Sequence, residues 1–485
     1  MNRYVPLAVW IVVVSTIVFI PMKIISYGFL PMDDALRHAA KTISGKPWQQ
    51  ILVMRDDFPI DPSPGWQKIL QAVHDLRGGD AESLVIFSVV SLMMLVMLCG
   101  APWFRRPEAW LAALCVAAVF IPACTTRFAR GRPYVLTDAV VITILLLWSF
   151  RGNNRRLYTV LFTPLLVAAS AWIHGSWYML VLPGLAILCA GWWLDAIIYG
   201  GCWLGGSFLG CALTGHPIDF LDQSVRHMFG VFGDFIVNRQ LEPELHPSDG
   251  SAVAVLAVAV LLLWRTISIG WKARVVANPV FAMIVIGWVL SFKMQRFWWD
   301  YGTPAFIIWV AMEFQDHLDI NLIFDSSRRL ALTLGIAAAV YFAFTSDLDS
   351  RWTQNLTTEF LAQDDPALDG WLPEPGGIIY NSDMDVFFDT FYKNPNADWK
   401  YILGFESGWM RPEDLQVLRK YQWDFDDARA LEPWVKKMRL QDRMIIHAPA
   451  SSRPNLPDLE WNYAATELWI GRLPHASGNP ATPQK

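Results

Sequence analysis

Eleven apolar segments set the first limit on what this chain can fold into. A run of roughly 20 apolar residues crosses the hydrocarbon core of a bilayer as a helix, at about 1.5 Å per residue. The chain of 485 residues is 54% hydrophobic and only 17% charged, whereas soluble domains average about 25% charged residues. We therefore predict a polytopic membrane protein whose first segment is a retained helix. The predicted segments are 5–25, 83–101, 108–123, 134–150, 157–173, 177–194, 196–214, 250–264, 278–292, 302–314 and 330–345.

Basic residues in the short connections orient these helices. Lys and Arg concentrate in cytoplasmic loops, and with eleven alternating helices four basic groups fall on one side. These groups are Arg105 with Arg106, Arg151 with Arg155 and Arg156, Arg265 with Lys272 and Arg274, and Arg328 with Arg329. The N-terminus is then cytoplasmic, and the long polar segments all lie outside. The outer segments are 26–82, 124–133, 215–249, 293–301 and the tail from 346.

The tail has the composition of a water-soluble domain. From residue 346 onward it carries 14 Lys and Arg against 22 Asp and Glu, and it contains no cysteine. Short β-branched and aromatic runs at 377–380, 399–403, 443–447 and 467–470 predict strands, with helices at 383–392, 411–422 and 430–440. We predict a membrane domain over 1–345, a small α/β domain over 346–475 and a disordered end over 476–485.

The first outer segment, 26–82, carries the most suggestive chemistry. It begins with adjacent carboxylates, Asp33 and Asp34, at the start of a helical run. Apolar residues at helical spacing in 64–76 predict an amphipathic helix. Such a helix lies in the membrane interface or packs on the protein's own loops, and the pattern does not separate the two. Either aspartate could also act only as a helix cap.

Further polar residues mark the outer ends of several helices. Clustered arginines suit a phosphate, which they bind with paired hydrogen bonds, and charges at bilayer depth are usually functional. Each feature has a plainer interpretation: Arg132 could pair with Asp138, His174 could be an interfacial histidine, and Trp298 with Trp299 could anchor the chain at the interface. The outer-face residues are Arg127, Arg130, Arg132, Asp138, His174, Lys293 and Arg296.

Two short motifs resemble those of the GT-C glycosyltransferases, in particular the branch of protein mannosyltransferases and aminoarabinose transferases. The first outer loop of that family opens with an acidic pair, written roughly Asp-Glu-Ala-x-x-x-x-x-Ala, and residues 33–40 read Asp-Asp-Ala-Leu-Arg-His-Ala-Ala. The family's fourth helix tends to begin with Arg followed by Leu-Thr-Asp, and residues 132–138 read Arg-Pro-Tyr-Val-Leu-Thr-Asp. The resemblance covers roughly residues 1–345.

This resemblance implies inverting transfer of a sugar from a polyprenyl-phosphate donor to a hydroxyl of a glycan, glycolipid or protein. The implied roles are a general base at Asp33, an orienting or acceptor-contacting group at Asp34, and cations for the lipid phosphate. The expected phosphate ligands are Arg127, Arg130, Arg132, Lys293 and Arg296. The expected sugar contacts or supporting groups are His38, Asp138 and His174. No cofactor or metal site is assigned, although some relatives use a divalent ion.

Other functions remain as alternatives. An O-antigen ligase or polymerase uses outer-loop arginines, but the acidic pair argues against it. A transporter or flippase of a lipid-linked saccharide usually has charges at mid-bilayer and internal repeats, and we find neither. The sequence contains no basic block interleaved with aromatic residues, so it does not suggest a nucleic acid partner. We expect a multi-pass protein of a bacterial inner membrane with its C-terminal domain in the periplasm.

Overall fold

Helices dominate the computed structural model, which describes residues 4–57, 60–150, 156–233, 243–248, 250–268, 270–321, 326–465 and 467–474. The helices in its N-terminal part are α1 Val5–Ser26, α2 Asp34–Ser44, α3 Trp48–Ile51, α4 Pro64–Arg77, α5 Ala81–Leu98, α6 Pro107–Phe120, α7 Ala123–Phe128, α8 Tyr134–Ser149 and α9 Arg156–His174. They continue with α10 Val181–Cys189, α11 Trp193–Ala212, α12 Pro217–Gly233, α13 Ala252–Ser268, α14 Pro279–Ser291, α15 Thr303–Asn321 and α16 Ser326–Thr345.

A helix lies at each of the eleven apolar segments. Four helices of the described chain are long and apolar enough to cross a bilayer, or five if the pair α11 and α12, bent by 110°, forms one broken span. The segment 177–194 is less regular than expected, since it begins as a 3-10 turn at Trp177–Leu180 before α10. The membrane character of the chain is thus clear, while the total of eleven spans stays a prediction.

Small residues allow helices α9 and α11 of the membrane domain to pack closely. Helix α11 lies along α9, and Gly206 and Gly210 face the α9 backbone. A Cβ atom at either glycine would lie 2.5 Å from a backbone carbonyl oxygen of α9, that of Pro164 or Ala168. Helices in lipid are held by such close packing because burial of apolar surface gives no gain there. Helices α9 and α11, which flank the 177–180 turn and α10, are therefore tightly joined.

The C-terminal domain contains one five-stranded sheet. Its strands are β1 Gly377–Asn381, β2 Trp399–Tyr401, β3 Arg443–His447, β4 Glu460–Ala465 and β5 Leu468–Arg472, and its helices are α17 Met384–Lys393, α18 Pro412–Trp423 and α19 Glu432–Val435. The order is β2-β1-β3-β5-β4, with β1 parallel to β2 and β3 and with β5 antiparallel to β3 and β4. The sequence did not predict β4, and the helix expected over 430–440 is only the short α19. Residues 476–485 lie outside the described chain.

The first outer loop completes the core of this C-terminal domain. Leu52 pairs with Tyr401 of β2, and the Val53 N–H donates to the Tyr401 carbonyl at 2.9 Å. Trp48, Ile51, Leu52 and Met54 are buried in the same apolar cluster as the inner faces of the sheet and α17. Residues more than 300 positions apart in sequence thus form one core, so the C-terminal domain packs directly on the first outer loop.

The amphipathic helix predicted over 64–76 is α4. Its Trp66 and Leu70 are buried in the core of the membrane domain, and Gly65 lies against Trp172 at the outer end of α9. The apolar side of α4 thus packs on the protein's own helices, while Leu76 at its end is 85% exposed.

We expect Leu52→Ala to destabilise the whole outer assembly, because it opens a cavity in a core shared by two segments. Leucine-to-alanine changes at buried sites cost about 2–5 kcal/mol, and the Leu52 side chain also contacts Gly404 of the C-terminal domain. The midpoint of thermal unfolding of the purified protein in detergent should fall by several degrees. Leu76→Ala in the same loop is the matched control and should leave the midpoint unchanged; equal effects would contradict the shared core.

Candidate active site

The acidic pair lies where the first outer loop meets both domains. Asp33 is the N-cap of α2, and its Oδ1 accepts a hydrogen bond from the Ala35 N–H at 3.2 Å. Its second oxygen faces the Arg130 guanidinium, with 3.7 Å between Oδ2 and Nε. Helix α2 ends at Gly45, whose left-handed conformation suits glycine. The cap interpretation of Asp33 is therefore correct, but it occupies only one carboxylate oxygen.

Asp34 is held more tightly than Asp33. Arg37, one turn along α2, donates from Nε and Nη2 to its two carboxylate oxygens, and Arg132 Nε lies 3.4 Å from Oδ2. Burial opposes the charge of Asp34, but the Arg37 and Arg132 guanidinium groups outweigh it and hold its pKa well below the usual range. Burial instead raises the pKa of Asp33, against the lowering effect of Arg132 and Arg130. The two neighbours thus differ in basicity.

His38 supports the acidic pair from the buried side of α2. Its Nδ1 lies 2.7 Å from the Gln67 side-chain amide, and the Gln67 Oε1 faces the Thr42 hydroxyl at 3.1 Å. The amide nitrogen must donate in this arrangement, so Nδ1 accepts and the proton sits on Nε2, 3.9 Å from an Asp34 oxygen. Burial, reinforced by Arg37, lowers the pKa of His38 well below its usual value. His38 is therefore a buried neighbour of Asp34 that is fixed by Gln67.

A network of buried ion pairs lies beneath the acidic pair. Arg127 donates to Glu244 at 2.9 Å and to Asp300, and Arg296 Nε contacts the second Asp300 oxygen at 3.0 Å. Arg132 reaches the other Glu244 oxygen at 3.7 Å, which links the network to Asp34. Burial raises the pKa of Glu244, but Arg132, Arg296 and Arg127 lower it more, to well below its ordinary value.

The acidic pair opens onto a cavity of about 790 Å³ between the two domains. Its membrane-side wall includes both aspartates together with Arg130, Arg132, Glu244 and Trp299. The C-terminal domain provides the opposite wall, which includes Ser382, Asp383, Asp385, Tyr421, Asp426 and His447. The volume falls in the range of sites that bury small ligands.

A smaller cavity of about 110 Å³ lies on the other side of Asp34, Arg132 and Glu244, which line both spaces. His174 and Arg296 line the smaller cavity, as do Arg37 and residues of α12. The C-terminal domain closes it through Phe405, Glu406 and Trp409, and His227 Nε2 of α12 lies 3.3 Å from a Glu406 oxygen.

The remaining expected residues fall into different surroundings. His174 is near the site and contacts Ser176 at 2.7 Å through Nδ1. Asp138 is buried beneath the site. Arg132 does not pair with Asp138 but contacts Asp34 and Glu244. Lys293 is exposed and lies outside the lining of both cavities.

The two tryptophans lie in different places. Trp298 is buried in the core, whereas Trp299 lines the large cavity and stacks on Arg127 at 4.5 Å.

Several residues of the site carried no signal in the sequence. Glu244 and Asp300 are single carboxylates in outer segments, and only the fold shows that they neutralise Arg127. The lining residues of the C-terminal domain come from the turn after β1, from α17, from α18 and the segment after it, and from the end of β3, more than 300 positions from Asp33. In the described part of the chain, no group of three or more His, Cys, Asp or Glu side chains is arranged to hold a metal ion.

Comparison with known proteins finds a similar fold but no similar sequence. No family model and no curated protein matches the chain. Among solved structures, the crystal structure of ArnT from Cupriavidus metallidurans bound to undecaprenyl phosphate matches with a TM-score of 0.58. The match covers 98% of this chain and 99% of that chain at 13% sequence identity. This chain therefore has the fold of that structure over nearly its whole length.

We expect Arg127→Gln to destabilise the protein strongly. The change removes the shortest ion pairs of Glu244 and Asp300 and leaves each carboxylate with one arginine, Arg132 or Arg296. Breaking a buried pair costs about 3–5 kcal/mol. The thermal midpoint of the purified protein should fall by several degrees. Arg130→Gln provides the control, since Arg130 is 38% exposed and makes one contact of 3.7 Å, and it should leave the midpoint within about 1 °C. Similar midpoints for the two variants would show that the network is not structural.

Proposed function

We propose that the chain is an inverting glycosyltransferase that moves a sugar from a polyprenyl-phosphate donor to an acceptor hydroxyl at the outer face of a bacterial inner membrane. One observation carries the proposal: a carboxylate pair faces arginines in a cavity between the two domains. The cavity lies in a fold shared with ArnT, which binds undecaprenyl phosphate in its crystal structure. The N-terminus would be cytoplasmic and the C-terminal domain periplasmic.

Asp33 is the better candidate for the general base. A base must accept a proton, and the pKa of Asp33 is raised by burial while that of Asp34 is held low by Arg37 and Arg132. One Asp33 oxygen caps α2, and the other is oriented toward Arg130 at the cavity wall. Asp34, fixed on both oxygens by Arg37, would orient the acceptor or the arginines.

The arginines would bind the donor phosphate. Arg130 and Arg132 line the large cavity beside Asp33 and are the direct ligands in this proposal. Arg127 and Arg296 are engaged by Glu244 and Asp300, so they would contribute positive field. Arg127 would also hold Arg132 in place through Glu244, which contacts both arginines. The expected role of Lys293 has less support, because it lies outside both cavity walls.

The reaction would proceed by direct displacement. An acceptor oxygen forms a bond to the anomeric carbon of the sugar while its proton passes to Asp33. The bond from that carbon to the phosphate oxygen breaks, and the electron pair remains on the phosphate. The leaving group is an anion stabilised by Arg130 and Arg132, so no strong general acid is needed. His38, Asp138 and His174 would support Asp34 or contact the sugar.

The fold comparison does not favour the alternatives of a transporter, a flippase or an O-antigen ligase. The acceptor in this proposal is a hydroxyl of a glycan, a glycolipid or a protein.

We expect Asp33→Asn to abolish transfer while donor binding remains. Loss of a general base typically lowers the rate about 10²- to 10⁴-fold, and asparagine still caps a helix. The measurement is turnover of radiolabelled polyprenyl-phosphate sugars by the purified protein, beside direct binding of the lipid. Asp80→Asn is the matched control, since Asp80 caps α5 through the Ser83 N–H in the same loop, and it should retain full turnover.

The pH dependence of kcat, measured for the wild type and for Asp80→Asn, provides a second test of the base. The base works only when ionised, and its folded-state pKa is raised, so kcat should fall as the pH drops through a value above the usual 3.8 of aspartate. Asp80→Asn should show the same acid limb as the wild type. Full turnover by Asp33→Asn would show that another residue is the base. Absence of any polyprenyl-phosphate binding by the wild type would overturn the proposed donor.

A further inference from the structure

Arg37 is held by two partners that belong to different domains. On one side its Nε and Nη2 donate to the carboxylate of Asp34. On the other side its guanidinium carbon lies 3.8 Å from the centre of the Phe405 ring, which belongs to the C-terminal domain. Arg37 is 3% exposed, and its Nη1 has no hydrogen-bond partner among the described residues. Phe405 is the nearer of two aromatic rings at the guanidinium, since the centre of the Trp48 ring lies 5.6 Å from the same carbon.

Phe405 is itself fixed by the contact between the domains. It is 5% exposed, and its ring lies 4.8 Å from that of Trp48 in the outer loop and 5.0 Å from that of Trp409. Backbone hydrogen bonds on both sides join the loop to the C-terminal domain, from Val53 N–H to the Tyr401 carbonyl and from Arg55 N–H to the Trp409 carbonyl. The position of the ring thus depends on how the C-terminal domain sits on the loop.

We propose that Phe405 is a positioning residue. It holds the Arg37 guanidinium in the orientation that donates to Asp34, and it thereby fixes the Asp34 carboxylate at the cavity wall. The proposal rests on the proposed function only in treating that cavity as the active site. A guanidinium within about 6 Å of an aromatic face is attracted by the ring quadrupole, and more strongly when both groups are removed from water. Phe405 also lines both cavities.

The C-terminal domain would therefore do more than cover the cavity. Without the ring, the guanidinium plane is free to turn toward the smaller cavity that Arg37 also lines, and the paired hydrogen bonds to Asp34 loosen. A correctly seated C-terminal domain would then be a condition for an ordered acidic pair. Sequence distance hides this dependence, since Phe405 follows Arg37 by several hundred positions.

The test replaces the ring while keeping an apolar side chain. Phe405→Leu should lower kcat about tenfold with the donor KM within twofold of the wild type, and Phe405→Trp, which keeps an aromatic face, should restore most of the rate. Loosening Arg37 leaves the charge of Asp34 less neutralised, and that charge raises the pKa of the neighbouring base Asp33, so the acid limb of kcat should move to higher pH in Phe405→Leu. Phe391→Leu is the control: it removes a buried ring of the same domain outside both cavities and should leave kcat and its pH profile unchanged.

A double-mutant cycle separates positioning from general loosening of the domain. In an Arg37→Gln background, Phe405→Leu should cause no further loss of kcat, and the two thermal-midpoint shifts should be non-additive. The shifts of Arg37→Gln and Phe391→Leu should add. Additive shifts for Phe405 and Arg37, or a Phe405→Leu rate and pH profile equal to those of Phe391→Leu, would overturn the proposal. If the wild type turned over no lipid-linked sugar, the proposed function would fail, and the thermal cycle would still decide the Phe405–Arg37 coupling.

Discussion

The rest of the outer face depends on the mutual neutralisation of buried charges. Arg127, Arg132 and Arg296 cannot remain unpaired away from water, because an isolated buried ion loses several kcal/mol of solvation. Glu244 and Asp300 neutralise them, and Asp34 joins the network through Arg132. Since these residues come from five separate segments, the pairing fixes the relative positions of α7, α8, the outer loops and the start of α2 in one step.

The second constraint is the core that the outer loop shares with the C-terminal domain. Trp48 and Leu52 are buried among residues of β2 and α17, and α2 lies directly between this domain and α5. Helix α2 therefore carries the acidic pair on an element that both domains hold. A rigid support of this kind suits groups that must keep their orientation while a ligand enters and leaves.

The similarity to ArnT at 13% identity shows that one fold accommodates very different sequences. Apolar helix surfaces accept many different side chains at equal volume. A fold alone does not specify an activity, so the proposed reaction depends on the chemistry at Asp33 and on the arginines beside it.

The sequence by itself determined the membrane character, the helices at eleven apolar segments, the presence of a C-terminal α/β domain and the position of Asp33 and Asp34. Each of these follows from local patterns of hydrophobicity, charge and capping. Only the tertiary structure decided that Glu244 neutralises Arg127, that Arg132 contacts Asp34, and that Phe405 reaches the site. These contacts join residues about a hundred or more positions apart, and local periodicity carries no information about which distant charges or rings meet.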